Sequence, residues 1–188
     1  YGAHRDLHSF PTRRSSDLES VLDLAIKAVE PIRDRLKNLD SIIWASCIPE
    51  NATVGNREYF EKSKDVKPLM DFPASRLQSH LGMPQAIVLG LVQQACTSML
   101  GSIRVACGLL ATEIDFNNIL CITSDRFPLG AKYEQAYSLI SDGAACCIVS
   151  REQKGFRILA SHHITNGSAV QANDEETAAV YLDRKSVV

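Results

Sequence analysis

Four short apolar runs, at residues 42–47, 86–92, 119–124 and 144–149, constrain this 188-residue chain more than any other feature. Each is too short for a core helix. All four read as strands: residues 42–47 and 86–92 as buried ones, with 86–92, which shows no polar alternation, expected to be buried on both faces. A sheet of such strands needs helices over both sides. The segments between the runs are long enough to supply them, and the alternation of strand and helix predicts an α/β fold.

The connecting segments fit that reading. Residues 20–39 place Val21, Leu22, Leu24, Ala25, Ala28, Val29, Ile32 and Leu36 at helical spacing, with Pro31 marking a kink or a break. Pro73 suits the first turn of a short helix that Gly82 ends and Pro84 keeps from resuming. Residues 97–111 are helical and rich in small side chains (Ser98, Gly101, Ser102, Ala106, Gly108), which predicts a central helix packed closely on its neighbours. Residues 48–72 read as a long irregular loop. Ser141-Asp142-Gly143 reads as a tight turn opening the last strand, and residues 156–163 are expected to pair with that strand.

Composition excludes several classes. At 45% hydrophobic and 22% charged the chain is not disordered. A net charge of -2 gives no electrostatic footprint for nucleic acid. No apolar run reaches the roughly 20 residues of a membrane helix. Six cysteines (Cys47, Cys96, Cys107, Cys121, Cys146, Cys147) show neither disulfide-scaffold nor zinc spacing, which points to a reducing compartment and hence the cytoplasm.

The two ends differ from the rest. Residues 10–18 can be encoded by a common sequencing-library adapter, and residues 183–188 by the reverse complement of part of it. Residues 1–18 and 183–188 are therefore expected to be non-native segments flanking one domain at 19–182.

Cys96 stands where the second strand runs into the small-residue helix. A thiol there lies near the positive end of a helix dipole, which favours thiolate, and the following backbone amides are placed to help bind an oxyanion. From the residues alone, a nucleophile and a small buried apolar side chain both fit. Cys107, Cys121, Cys146 and Cys147 read as core, as does Cys47, which ends a strand beside the long loop. Cys146 and Cys147 point to opposite faces of one strand and make a poor metal pair. His80 reads as solvent-facing, as does one of His162 and His163. Asp125-Arg126 reads as a local ion pair or a subunit contact.

The segments FPASRLQSHLG, AIVLGLVQQACTSMLGSIRVACGLL, NNILCITSDRF and ISDGAACCIVS, in that order, resemble the N-terminal half of beta-ketoacyl-[acyl carrier protein] synthase III, a thiolase-fold condensing enzyme. The resemblance spans residues 21–167. It implies a layered α/β/α thiolase-like half-domain and makes Cys96 the acyl-carrying nucleophile. Acyl-coenzyme A and malonyl-acyl carrier protein are the implied reactants, in a decarboxylative condensation serving fatty-acid or related biosynthesis. No cofactor and no metal are implied. A homodimer is, with residues 86–92 pairing with their own copy.

The chain departs from the family pattern at three places. Ser98-Met99 stands where a Gly-Phe pair is usual, Gln93-Gln94 follows where an Asp is common, and the turn Ser141-Asp142-Gly143 lacks its first Gly. The catalytic His and Asn that the resemblance implies belong to a C-terminal half, and His162 and His163 do not match their motif. The fragment is therefore expected to be inactive in condensation. The alternative is a non-catalytic acyl-binding or subunit-pairing module of the same fold.

Overall fold

A computed structural model describes residues 19–47, 57–66, 70, 72–127, 133–134, 138–139, 141–152 and 155–165. The adapter-like ends lie outside the described residues, as does much of the expected 48–72 loop.

Helix α1 (Val21–Val29) opens on a capping box, in which the Ser20 hydroxyl accepts from the Asp23 backbone N–H and the Asp23 carboxylate accepts from the Ser20 N–H. Pro31 does not kink the helix. It sits in the first turn of a separate 3-10 segment, Glu30–Arg35, where its missing N–H costs nothing. Strand β1 (Ser41–Ala45) follows, with all five residues buried. Helix α2 (Arg57–Ser63) lies in the stretch expected to be loop. Helix α3 (Pro73–Leu81) ends at Gly82, whose φ of 68° is the left-handed cap that Gly adopts without a Cβ penalty. Then come β2 (Ile87–Leu91), α4 (Ser98–Thr112), β3 (Asn118–Asp125), β4 (Tyr133–Glu134), β5 (Ser138–Leu139) and β6 (Gly143–Ser150).

The main sheet has the order β2-β1-β3-β6. β1 is parallel to both β2 and β3, and β6 runs antiparallel to β3. On one face Ile42, Trp44, Leu120 and Ile122 pack under α1 and α3; on the other Ile43, Ile119 and Cys121 pack under α4. The result is the expected α/β/α layering. Neighbouring residues on a strand feed opposite cores: Cys146 packs with the first cluster and Cys147 with the second.

Two carboxylates pin the ends of β1. Asp40 Oδ2 accepts from the Asn117 and Asn118 N–H groups at 2.6 and 2.8 Å, and its backbone carbonyl accepts from Ile87 at 2.8 Å. At the far end Asp125 accepts from the Ser46 hydroxyl at 2.7 Å and from the Cys47 N–H at 3.0 Å. The carboxylate of Asp125 thus closes the site end of the sheet.

Three expectations are corrected. Among the described residues β2 is an edge strand and is not buried on both faces: Ile87 is 51% exposed. Residues 156–163 form no strand and are exposed, as are both His162 and His163. Within α4 the small residues that meet the sheet are Ser98, Gly101, Ser102 and Ala106, whereas Gly108 is exposed with open space around it. By length and composition alone, residues Ala95–Thr112 form a stretch apolar enough to cross a membrane. Its small-residue face lies on the sheet and Arg104 is on the solvent side.

Candidate active site

The C-terminal ends of β1, β2 and β3 meet at one edge of the sheet, and Cys96 stands over it. The chain leaves β2 at Leu91, passes through Gln93 and Ala95 with φ of 69° and 45°, and turns through the 3-10 segment Ala95–Thr97 into α4. A positive φ in two residues other than Gly is a strained connection, of the kind that holds a nucleophile out of a sheet edge. Cys96 is exposed there, one residue before the turn passes into the helix.

The turn is tied down from below. The Ser98 hydroxyl, 2% exposed, donates to the carbonyls of Ser46 at 3.0 Å and Ala95 at 2.7 Å. The first turn of α4 is thereby fastened to the end of β1. Thr97 donates both its N–H and its hydroxyl to the Gln94 carbonyl, at 3.0 and 2.6 Å. Ser98 N–H is likewise bonded to the Ala95 carbonyl. This corrects the expectation that the amides after Cys96 are open to an oxyanion, because the tight turn uses them internally. The Gln94 side chain tucks beneath α4, and a Cβ at Gly101 would stand 1.8 Å from its Oε1.

Cys47 is the residue that sequence reasoning misplaced. It is half-buried, and its Sγ lies 3.9 Å from Cys96 Sγ. A separation of 49 positions gave no sign of the contact, which arises because parallel β1 and β2 end together, Ala45 beside Leu91. Ser46, Ser98 and Asp125 were likewise not singled out as site residues.

The other thiols belong to the cores. Cys121 and Cys147 face each other across β3 and β6. Their hydrogen bond, together with burial, pushes the Cys121 thiol far up, and the same bond holds Cys147 below its ordinary value. Burial, with the neighbouring Cys147, pushes Cys146 up. Cys107 packs in the same cluster as Cys121 and Cys147. Among the described residues no group of three or more His, Cys, Asp or Glu side chains is placed to hold a metal ion. A cavity of about 1690 Å³ lies along the outer side of β6, lined by Cys146, Ile148, Arg151 and Phe156 among others, and includes neither Cys96 nor Cys47.

Residues 92–167 match the family described as 3-oxoacyl-[acyl-carrier-protein (ACP)] synthase III. No curated protein sequence matches the chain. Among solved structures, a 3-oxoacyl-(acyl-carrier-protein) synthase III is similar at a TM-score of 0.56 and 21% identity, covering 77% of this chain and 39% of its own. The 3-oxoacyl-[acyl-carrier-protein] synthase III of Aquifex aeolicus VF5 is similar at 0.55 and 20%, covering 76% and 42%. ChlB3, an acyltransferase, is similar at 0.58 and 17%, covering 74% and 38%. This chain thus spans about two fifths of the length of these structures. The thiolase-like fold expected from the sequence is the fold found, and the family resemblance holds over the stretch that carries Cys96.

Proposed function

We propose that this chain, of the 3-oxoacyl-[acyl-carrier-protein] synthase III type, carries the acyl-accepting cysteine of a condensing acyltransferase. The observation that carries the reading is the placement of Cys96: exposed, at a strained strand-to-helix junction, and tied through Ser98 and Ser46 to the central strand.

In the first step the Cys96 thiolate adds to the carbonyl carbon of an acyl-coenzyme A, and the tetrahedral oxyanion collapses to release coenzyme A thiolate. In the second, a malonyl-acyl carrier protein loses carbon dioxide. Its carbanion attacks the acyl-cysteine thioester and expels the Cys96 thiolate, leaving a 3-oxoacyl product on the carrier. The reaction needs neither a metal nor a redox cofactor, since every electron pair comes from a thiolate or a broken carbon–carbon bond. The product serves fatty-acid or related biosynthesis, in the cytoplasm.

The chain's own residues supply the nucleophile and its mounting. The family resemblance puts the base and the remaining oxyanion donors on a second half, which accords with the internal bonding of the Thr97 and Ser98 amides. The 188 residues alone are therefore proposed to be inactive in condensation. We also propose a homodimer, with β2 as the contact strand: it is apolar and an edge, and such an edge invites pairing with another strand.

Incubation with radiolabelled acyl-coenzyme A, followed by mass spectrometry, tests the assignment. A single adduct on Cys96 is expected. An adduct that persists in Cys96→Ala would overturn it.

A further inference from the structure

We propose that Cys47 and Cys96 form a reversible disulfide when the protein meets a peroxide, so that Cys47 acts as a resolving thiol beside the nucleophile. The two sulfurs stand 3.9 Å apart, about 2 Å beyond a disulfide bond length. The proposed closure brings the two sulfurs together across that difference.

The backbones are well held for such a closure. Cys47 N–H donates to both oxygens of Asp125 at 3.0 Å, and the Ser46 hydroxyl before it donates to the same carboxylate. Ser98, two residues after Cys96, donates to the Ser46 carbonyl. The segments bearing the two thiols are thus bonded to each other at a point next to both. A second pair, Cys121 and Cys147, faces across β3 and β6, but Cys121 is fully buried in the core beneath α4 and away from a dissolved oxidant; Cys107 packs in that same core and Cys146 in the core on the far side of the sheet.

The chemistry balances with hydrogen peroxide as the oxidant. The Cys96 thiolate attacks one peroxide oxygen, breaks the O–O bond and becomes a sulfenic acid, while the departing hydroxide takes a proton and leaves as water. The Cys47 thiol then attacks the Cys96 sulfur, forms the S–S bond and expels the hydroxyl, which takes the thiol proton and leaves as a second water. Two thiols are oxidised and one peroxide is reduced. A dithiol reverses the step by exchange. Cys96 is exposed and open to irreversible over-oxidation, and the disulfide stops the ladder at a recoverable stage. That a disulfide would also block acyl transfer rests on the function proposed above; the cross-link itself does not.

The test treats the folded 188-residue chain with hydrogen peroxide, caps free thiols with N-ethylmaleimide and maps the peptides. One linked pair, Cys47 to Cys96, is expected, and dithiothreitol should return both thiols. In Cys47→Ser, dimedone labelling of Cys96 sulfenic acid should rise severalfold, followed by sulfinic acid that dithiothreitol does not reverse. Oxidation of Cys96 without a link to Cys47, equal over-oxidation of wild type and Cys47→Ser, or resistance of both thiols to peroxide would each overturn the proposal. Acyl-coenzyme A labelling of the reduced chain is scored separately. Acylation without the disulfide sinks only this inference, and the disulfide without acylation sinks only the proposed function.

Discussion

The buried hydroxyl of Ser98 donates to the backbone carbonyl of Ser46, 3.0 Å away, and so joins the helix that follows Cys96 to the strand at the centre of the sheet. Replacing Ser98 by Ala leaves the Ser46 carbonyl without this donor. The expected cost is about 1–3 kcal/mol, read as a lower urea midpoint at unchanged slope. Acylation of Cys96 should slow as its turn loosens.

Asp125 bears on the same edge from β3. Asp125→Ala removes the acceptor of the Ser46 hydroxyl and the Cys47 N–H. A loss of about 1–3 kcal/mol is expected. The yield of peroxide-induced Cys47–Cys96 linkage should fall with it, whereas Asp125→Asn should keep part of both. Urea denaturation and peptide mapping check the two effects.

Gly101 and Gln94 should be coupled energetically. In the wild-type background, a methyl at Gly101 meets the Gln94 carboxamide and must displace it. With Gln94→Ala already in place only Leu91 Cδ2, 3.2 Å from the added carbon, has to give way, and once it does Gly101→Ala should stabilise the chain by up to about 1 kcal/mol through helix propensity. A double-mutant cycle measured by thermal or urea unfolding should therefore be non-additive. Additivity would mean that Gln94 does not occupy the space beside Gly101.

The cap of α1 has a definite pH dependence. Its hydrogen bonds to Ser20 hold the Asp23 carboxyl below the ordinary value of 3.8. A carboxylate lowered on folding contributes stability that is present above its unfolded value and is lost as pH falls through the folded one. The stability difference between wild type and Asp23→Asn should therefore be constant at neutral pH and shrink below about pH 4. Ser20→Ala should cost about 1 kcal/mol at pH 7.

The β2 edge supplies a test of assembly. Leu89→Lys places a charge on the strand proposed to meet a second copy, and sedimentation equilibrium should show dimers or larger species giving way to monomer. A wild-type chain already monomeric at equilibrium would remove the proposed interface.

Much of this molecule is legible in its sequence, for identifiable reasons. Ile42, Ile43 and Trp44 sit in an unbroken apolar run because β1 has a neighbour on each side and a helix layer on each face, and such a strand leaves its mark on every residue. Gly82 marked the end of α3 because a left-handed cap selects Gly. The strand β2 looked the same as β1, yet it is an edge among the described residues; apolar composition records what a strand covers, and among those residues one side of β2 has no partner. The position of Cys96 at a strand-to-helix junction was legible from the apolar run before it and the small-residue helix after it. Cys47 was not, since its meaning depends on two parallel strands ending in register, and register between distant segments leaves no local signal. The bonds from Ser46 and Cys47 to Asp125 left no local signal for the same reason: they span 79 and 78 positions.

The order β2-β1-β3-β6 also governs when the chain can fold. The most buried strand is made first, and both of its neighbours come later in the sequence, with helix α3 between β1 and β2 and helix α4 between β2 and β3. During synthesis β1, largely apolar, must wait for β2 to emerge before it has a first neighbour, and for β3 and Asp125 before its second side and far end are closed. Non-local parallel pairing of this kind is slow, and the waiting strand is open to the wrong partner. Yield of folded protein should accordingly respond to translation speed and to chaperone supply more than to any change in the finished contacts.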